Sequence, residues 1–527
     1  MLIFSWKRYC VKHLSIKALQ HIFAWYPQSR RPAEYPSYSL NGFTVFILFT
    51  LLFGFAQGAH SPYPALSWLF LLPAALLYAF LLVKGSNDDL FVFLFFTSLV
   101  RIVIPQNFRE LSLILPFFTG TVILLKQLWV LKHVPKYSLN GLPAILLLFF
   151  LFLSFQVFHD MQLPGFARSG SGNTGFLGRW SQLSNMLLFL VLFASFRPSN
   201  LHYLLSKMRQ FYACVITVSF LMLLFHINSL PLFNTFTWSV VVESATSRKM
   251  IIAGTAAIIL LGFEIAPGKF RYKNLALSAA LLMIVFMSGS RTAFLSFFLT
   301  LFFAYAIHKG FLLRSIGLLI LSAGLGVALL LSPLILYIPA QYQRLVIIFP
   351  SEFYTGKLYE LRASSAANSS NFRYDMWKKA SEAIREKPLT GKGIGIPKAS
   401  YDLKAEGLGA FNRIDAKILI EDFMAAGSLH NAFVSIAYIF GLPAAVFFLL
   451  FLITLLMRTY KMSQLADADH KPFFVFLTLI VLNFIIQAFI SDIHNSQEFY
   501  ALTAIAMKSV LAFDYKHAQS SFRTSPA

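Results

Sequence analysis

Charge and cysteine are both scarce in this chain. Of its 527 residues only 13% are Asp, Glu, Lys or Arg, about half the share found in soluble globular domains. That shortage excludes a fold wetted on all sides. The two cysteines, Cys10 and Cys214, sit one in a basic N-terminal stretch and one in an apolar run. They offer neither a disulfide framework nor a thiolate metal site. Alternation of apolar and polar residues with period two is missing as well. This excludes a transmembrane barrel and leaves helices as the spanning element. Acidic residues number 22 against 44 Lys and Arg, for a net charge of +22. A soluble protein so basic would point to nucleic acid. In a chain this apolar, the excess reads instead as the loop lysine and arginine that orient a membrane protein. No cleavable signal peptide is visible, because the first 39 residues are basic and only weakly apolar.

Hydrophobic residues make up 57% of the chain, and mean hydropathy is +0.67. They fall in runs of about 17–25 residues, the length of a membrane-crossing helix. The expected fold is an all-α membrane protein, a polytopic helical bundle of about 12–14 transmembrane helices with one large periplasmic loop containing helices. Candidate spans lie at 40–57, 65–83, 89–104, 111–131, 141–158, 182–196, 211–227, 250–265, 274–289, 292–307, 312–338, 429–457, 472–490 and 497–513. The organisation that follows has five parts. Residues 1–39 form a basic cytoplasmic arm, either an interfacial amphipathic helix or a disordered tail. Residues 40–338 hold transmembrane helices 1–11, and 339–428 form the periplasmic loop. Residues 429–513 hold the C-terminal transmembrane helices, and 514–527 form a cytoplasmic tail.

Cation placement sets the orientation. With the N-terminus inside, 24 of the 44 lysines and arginines fall in inner segments and seven in short outer ones. The remaining 13 lie in the long loop, and long loops cross largely regardless of charge. Both termini are therefore expected in the cytoplasm and residues 339–428 outside. Six of the seven outer cations are arginines, Arg291 among them. A guanidinium fork suits phosphate better than the point charge of lysine does. Such residues also anchor to lipid headgroups.

Three sites bear on chemistry. The first is Ser288-Gly-Ser-Arg291, an outward turn between two apolar runs, where Arg291 either snorkels to headgroups or points into a cavity. The second is a helix expected from about Phe372 to Lys387. Ser369, Ser370 and Asn371 are its N-cap candidates, Asp375 suits its first turn, and Pro388 follows its end. Arg373, Trp377, Ala380 and Ile384 share one stripe of that helix. An arginine on a packed face needs an anionic partner, either a structural carboxylate or a substrate phosphate. The helix runs into Pro-Leu-Thr-Gly-Lys-Gly-Ile-Gly. Gly391, Gly393 and Gly395 there either cradle phosphate or make a plain flexible turn. The third site is His430-Asn431, where the loop re-enters the membrane. Histidine titrates near neutrality and can act as a general base, and it can equally be structural.

Taken together these motifs resemble the O-antigen ligase and polymerase superfamily. They are SGSR at the outer end of a span, R-x-x-x-W followed by P-L-x-G-x-G-x-G, and H-N opening a hydrophobic helix that contains Gly441. Members are bacterial inner-membrane glycosyltransferases with a large periplasmic loop between two late spans. The resemblance covers about residues 280–455. It implies that Arg291 and Arg373 engage a lipid-linked diphosphate and that His430 serves as base or acceptor-side group. Trp377, Gly391, Gly393, Gly395 and Asn431 support them. The basic arm and the extra spans depart from the simplest members.

The implied reaction is transfer of a glycan from undecaprenyl diphosphate to an acceptor hydroxyl, with inversion and with no cofactor. The outer segments hold no D-x-D pattern, so no metal site is expected. The partners are the lipid-linked donor, a lipid A-core or growing glycan acceptor, and membrane lipid, with no nucleic acid. O-antigen ligase is the first reading and polymerase the second. A lipid-linked glycan flippase is the rival of a different class. Few ionisable residues lie near mid-span, which favours chemistry at one face over passage across.

Overall fold

The computed structural model describes residues 42–60, 64–99, 111–130, 187–196, 201–224, 365–393, 429–467, 470–489 and 497–523. It also describes isolated positions at 185, 276–277, 279–280, 283–284, 299–300, 302–303, 420 and 424. All regular structure among the described residues is helical. The helices are α1 (Gly42–His60), α2 (Pro64–Lys84), α3 (Asn87–Leu99), α4 (Leu111–Val130) and α5 (Leu201–Leu224), then α6 (Ser365–Glu386), α7 (Ala432–Phe440), α8 (Leu442–Leu465), α9 (Lys471–Ala488) and α10 (Gln497–Arg523). Residues 187–195 are helical as well. Among the described residues, α8 and α9 are long and apolar enough to cross a membrane. The arm 1–39, the SGSR turn, and the expected spans at 141–158, 250–265 and 312–338 lie outside the described residues.

The first helices form antiparallel hairpins pinned at one end by Asp89. Ser86 and Asp89 make a reciprocal cap at the start of α3. Ser86 Oγ donates to Asp89 Oδ2 at 2.6 Å, and Asp89 N donates to Ser86 Oγ at 3.1 Å. The other carboxylate oxygen accepts from Gly42 N at 3.0 Å and from the Tyr203 hydroxyl at 3.3 Å. One side chain therefore ties the starts of α1, α3 and α5. At the same end Lys126 Nζ donates to the carbonyls of Leu82 (2.8 Å) and Gly85 (3.2 Å), covering the exposed terminus of α2. Above this polar end α3 is enclosed on every side, with Leu90 to Ser98 all buried. Phenylalanine fills the gaps. Phe96 lies 5.0 Å from both Phe43 and Phe211, and Phe91 lies 5.1 Å from Phe196.

The outward faces carry the opposite chemistry from those of a soluble bundle. On α2, Trp68, Leu69, Leu72, Leu76, Phe80 and Val83 are exposed and recur about every turn. On α8, Leu442, Val446, Leu450, Ile453 and Met457 do the same. Water would drive such stripes into contact with something, whereas hydrocarbon is already their equal. α9 is instead an interior helix, with Phe473, Phe474, Phe476 and Phe484 fully buried.

Lys508 Nζ sits 4.9 Å over the Phe193 ring. His470 and Phe474 meet Phe513 at 6.4 and 5.1 Å. At the Asp89 end Lys207 Nζ lies 5.7 Å over the Phe43 ring, on the same end as Lys126. Because α9 runs from Lys471 to Ala488, Phe489 and everything bonded to it lie at the end of α9 away from His470.

Three expectations need correction. The span at 429–457 is two helices broken at Gly441, whose φ of 90° and ψ of 167° turn the chain sharply. The Phe433 ring lies 5.7 Å from Phe448 and 4.8 Å from Phe489. Phe448 is six residues into α8, about 9 Å along its axis. α7 therefore folds back beside α8 instead of extending it. The loop helix starts at Ser365, so Ser369, Ser370 and Asn371 are helical residues and not its caps. Alanines at 366 and 367 favour continuation there. Finally, α10 runs on to Arg523, ten residues past its expected end, through a stretch free of Gly and Pro.

Candidate functional site

α6 is amphipathic, and the face it buries fixes where Arg373 goes. Met376, Ala380 and Ala383 are buried, and Phe372, Trp377 and Ile384 pack partly against the core. The packed stripe is thus centred one position from the Arg373–Trp377–Ala380–Ile384 line. Arg373 and Trp377 lie at its edge, both half-buried. Small alanines at 380 and 383 let α6 approach α7 closely.

Two ties hold α6 along α7. At the first, Trp377 Nε1 donates to the Leu429 carbonyl at 2.7 Å. That peptide leads directly into His430. Arg373 stands one turn from Trp377 on the same side of α6. At the second, the turn after α6 closes over the end of α7. Lys392 N donates to Tyr438 O at 2.7 Å and Gly393 N to Ile439 O at 3.0 Å. Leu442 N, at the start of α8, donates to Pro388 O at 2.7 Å. The terminal carbonyls of α7, which a helix leaves without partners, are met in this way.

The backbones approach so closely here that only glycine fits. A Cβ on Gly391 would fall inside the contact distance of Ile439 O, and one on Gly441 inside that of Leu389 O. Both also have positive φ, 68° and 90°. Gly391 is therefore held in a fixed turn against the end of α7. The Lys392 and Gly393 amides, which a phosphate cradle here would use, donate to carbonyls of α7. Gly395 lies outside the described residues, as does Arg291.

His430 is held on both flanks. Leu429 is fully buried, and its amide donates to Ser435 Oγ at 3.0 Å. Asn431 caps α7 with Oδ1, accepting from Phe433 N (3.0 Å) and Val434 N (3.1 Å). Its Nδ2 donates to Phe489 O at 3.1 Å. A single amide thus starts one helix and stops another, and the donors and acceptors around it allow only this orientation of the side chain. Between these anchors His430 has φ 54°, the one non-glycine with positive φ among the described residues. That conformation costs about 1–2 kcal/mol for an ordinary residue and persists only where surroundings impose it. Strain of this kind clusters at working sites.

The Asn431 cap was readable in the sequence, since asparagine before an apolar run is a helix-start signal. The Trp377–Leu429 and Asn431–Phe489 bonds were not, because both end on backbone carbonyls, which carry no sequence identity. Among the described residues no three His, Cys, Asp or Glu side chains group as metal ligands.

Residues 276–449 match the family model described as O-Antigen ligase, placing this region in the O-antigen ligase superfamily. The match contains Arg373, Trp377, the glycine turn, His430, Asn431 and Gly441, and it ends within α8. Comparison with curated proteins gives no match.

Proposed function

We propose that this chain, carrying an O-antigen ligase region at residues 276–449, is an inner-membrane glycosyltransferase. It passes a glycan from undecaprenyl diphosphate to an acceptor hydroxyl at the periplasmic face. The acceptor oxygen attacks the anomeric carbon while the bond from that carbon to the diphosphate oxygen breaks. His430 takes the acceptor proton, and the configuration inverts. Arg373, with Arg291, meets the charge that develops on the departing diphosphate. Fixed cations stabilise such charge best where water is excluded. With no sugar nucleotide or ATP outside the cytoplasmic membrane, the diphosphate leaving group is the energy source.

The observation that carries this reading is the Trp377–Leu429 bond. It ties the helix that carries the half-buried Arg373 to the peptide that precedes the strained His430. In a plain surface loop neither the strain nor the tie has a purpose. Both glycan acceptors suit this chemistry, and the family description favours the ligase.

The test is transfer by the purified protein in nanodiscs, from undecaprenyl-diphosphate glycan to lipid A-core, with and without chelator. Product is expected in both conditions. Failure of the wild-type protein to transfer with either lipid A-core or lipid-linked repeat units as acceptor would sink the proposal. The glycan pattern of a deletion strain separates the two acceptors. Loss of a ligase leaves long polymer on the carrier, whereas loss of a polymerase leaves single units on the core.

A further inference from the structure

α9 carries two amides in its mostly apolar C-terminal half. Asn483 and Gln487 lie four residues apart on one face, and both are fully buried. Burying an amide in an apolar bundle is costly unless it is hydrogen-bonded. Asn483 Nδ2 donates to Thr300 Oγ1 at 3.1 Å, and Gln487 Nε2 donates to Asn483 Oδ1 at 2.5 Å. Thr300 is itself buried and lies nine residues along the chain from Arg291. Two residues beyond Gln487, the Phe489 carbonyl accepts from Asn431, the neighbour of His430.

We infer that Thr300, Asn483 and Gln487 are positioning residues for the reaction at His430, forming a polar ladder that sets the register of α9. The reading rests on His430 as the base. Apolar side chains set no hydrogen-bond direction, so a phenylalanine-rich helix can repack in a neighbouring register more readily than one that carries a buried polar pair. One residue of slip moves α9 by about 1.5 Å and turns it by about 100°. The Phe489 carbonyl would then miss Asn431, and the cap beside His430 would lose its outer support. A buried polar pair fixes register in just this way, as a single asparagine does in a coiled coil. The ladder also joins the matched region, through Thr300, to α9, which lies outside it.

The decisive variant makes the ladder wholly apolar, Thr300→Val with Asn483→Leu and Gln487→Leu. Removing the three together leaves none of them facing a deleted ladder partner, as a single substitution would. Two readouts are taken, steady-state transfer and hydrogen exchange of the Phe433 and Val434 amides. The ladder requires a fall in kcat of about tenfold with donor KM nearly unchanged, and exchange at those amides about tenfold faster. Wild-type kcat and wild-type exchange in a folded variant would overturn it. Should the triple variant not fold, Thr300→Val against Thr300→Ser decides. The valine form must lose transfer and amide protection while the serine form keeps both, and equal behaviour of the two refutes the ladder. A wild-type protein that fails to transfer, with the exchange difference present, would remove the proposed function while leaving the register claim standing.

Discussion

Two helix starts in this molecule are built by the same rule and put to different ends. At the start of α3, Ser86 and Asp89 cap each other, and Asp89 also draws in Gly42 and Tyr203. At the start of α7, Asn431 caps the helix and draws in Phe489. Each site gathers elements distant in sequence onto one short polar side chain. The first leaves its surroundings relaxed. The second holds a histidine in the left-handed region next to a helix that carries an arginine. A cap by itself is therefore a device of assembly. Under the proposed function, the second becomes part of a working site because the residue it strains has chemistry to offer.

Substitutions at the two starts should separate these roles. His430→Asn keeps a side chain tolerant of positive φ but removes the base. Transfer should fall by about 10²–10⁴ with unfolding temperature unchanged. Arg373→Lys keeps the charge and loses the fork, and we expect about a hundredfold loss in kcat/KM with normal membrane insertion. Gly441→Ala meets both a forbidden φ and the Leu389 carbonyl. It should cost about 1–3 kcal/mol in detergent unfolding and lower transfer alongside. Trp377→Phe keeps the ring and drops the indole donor, so kcat should fall about tenfold while stability drops only by about 1 kcal/mol. Asp89→Ala completes the comparison. It should destabilise the fold by about 1–2 kcal/mol, yet leave kcat per folded molecule untouched. If Asp89→Ala instead lowered kcat as Trp377→Phe does, the two helix starts would not differ in role.

The surfaces repeat the lesson on a larger scale. α2 turns Trp68, Leu72 and Leu76 outward, whereas α6 exposes Asp375, Lys378, Glu382 and Arg385. Both bury small or apolar residues on the opposite face. Each presents a different chemistry outward, an apolar stripe compatible with hydrocarbon on one and a charged face compatible with water on the other.

Much of this was legible in the residues alone. Hydropathy and run length determined an all-helical membrane protein. The spacing of Arg373 and Trp377 determined that they share a helix face, and His430-Asn431 was marked as opening a hydrophobic helix. These follow from local rules, in which a residue's neighbours along the chain set its periodicity and its caps. The tertiary structure alone decided that α7 folds back at Gly441, that Gly391 and Gly393 clamp a helix end, and that Trp377 reaches the peptide preceding His430. Each of those depends on a backbone group, and every residue carries the same carbonyl. Only the packing of distant segments selects which one is met.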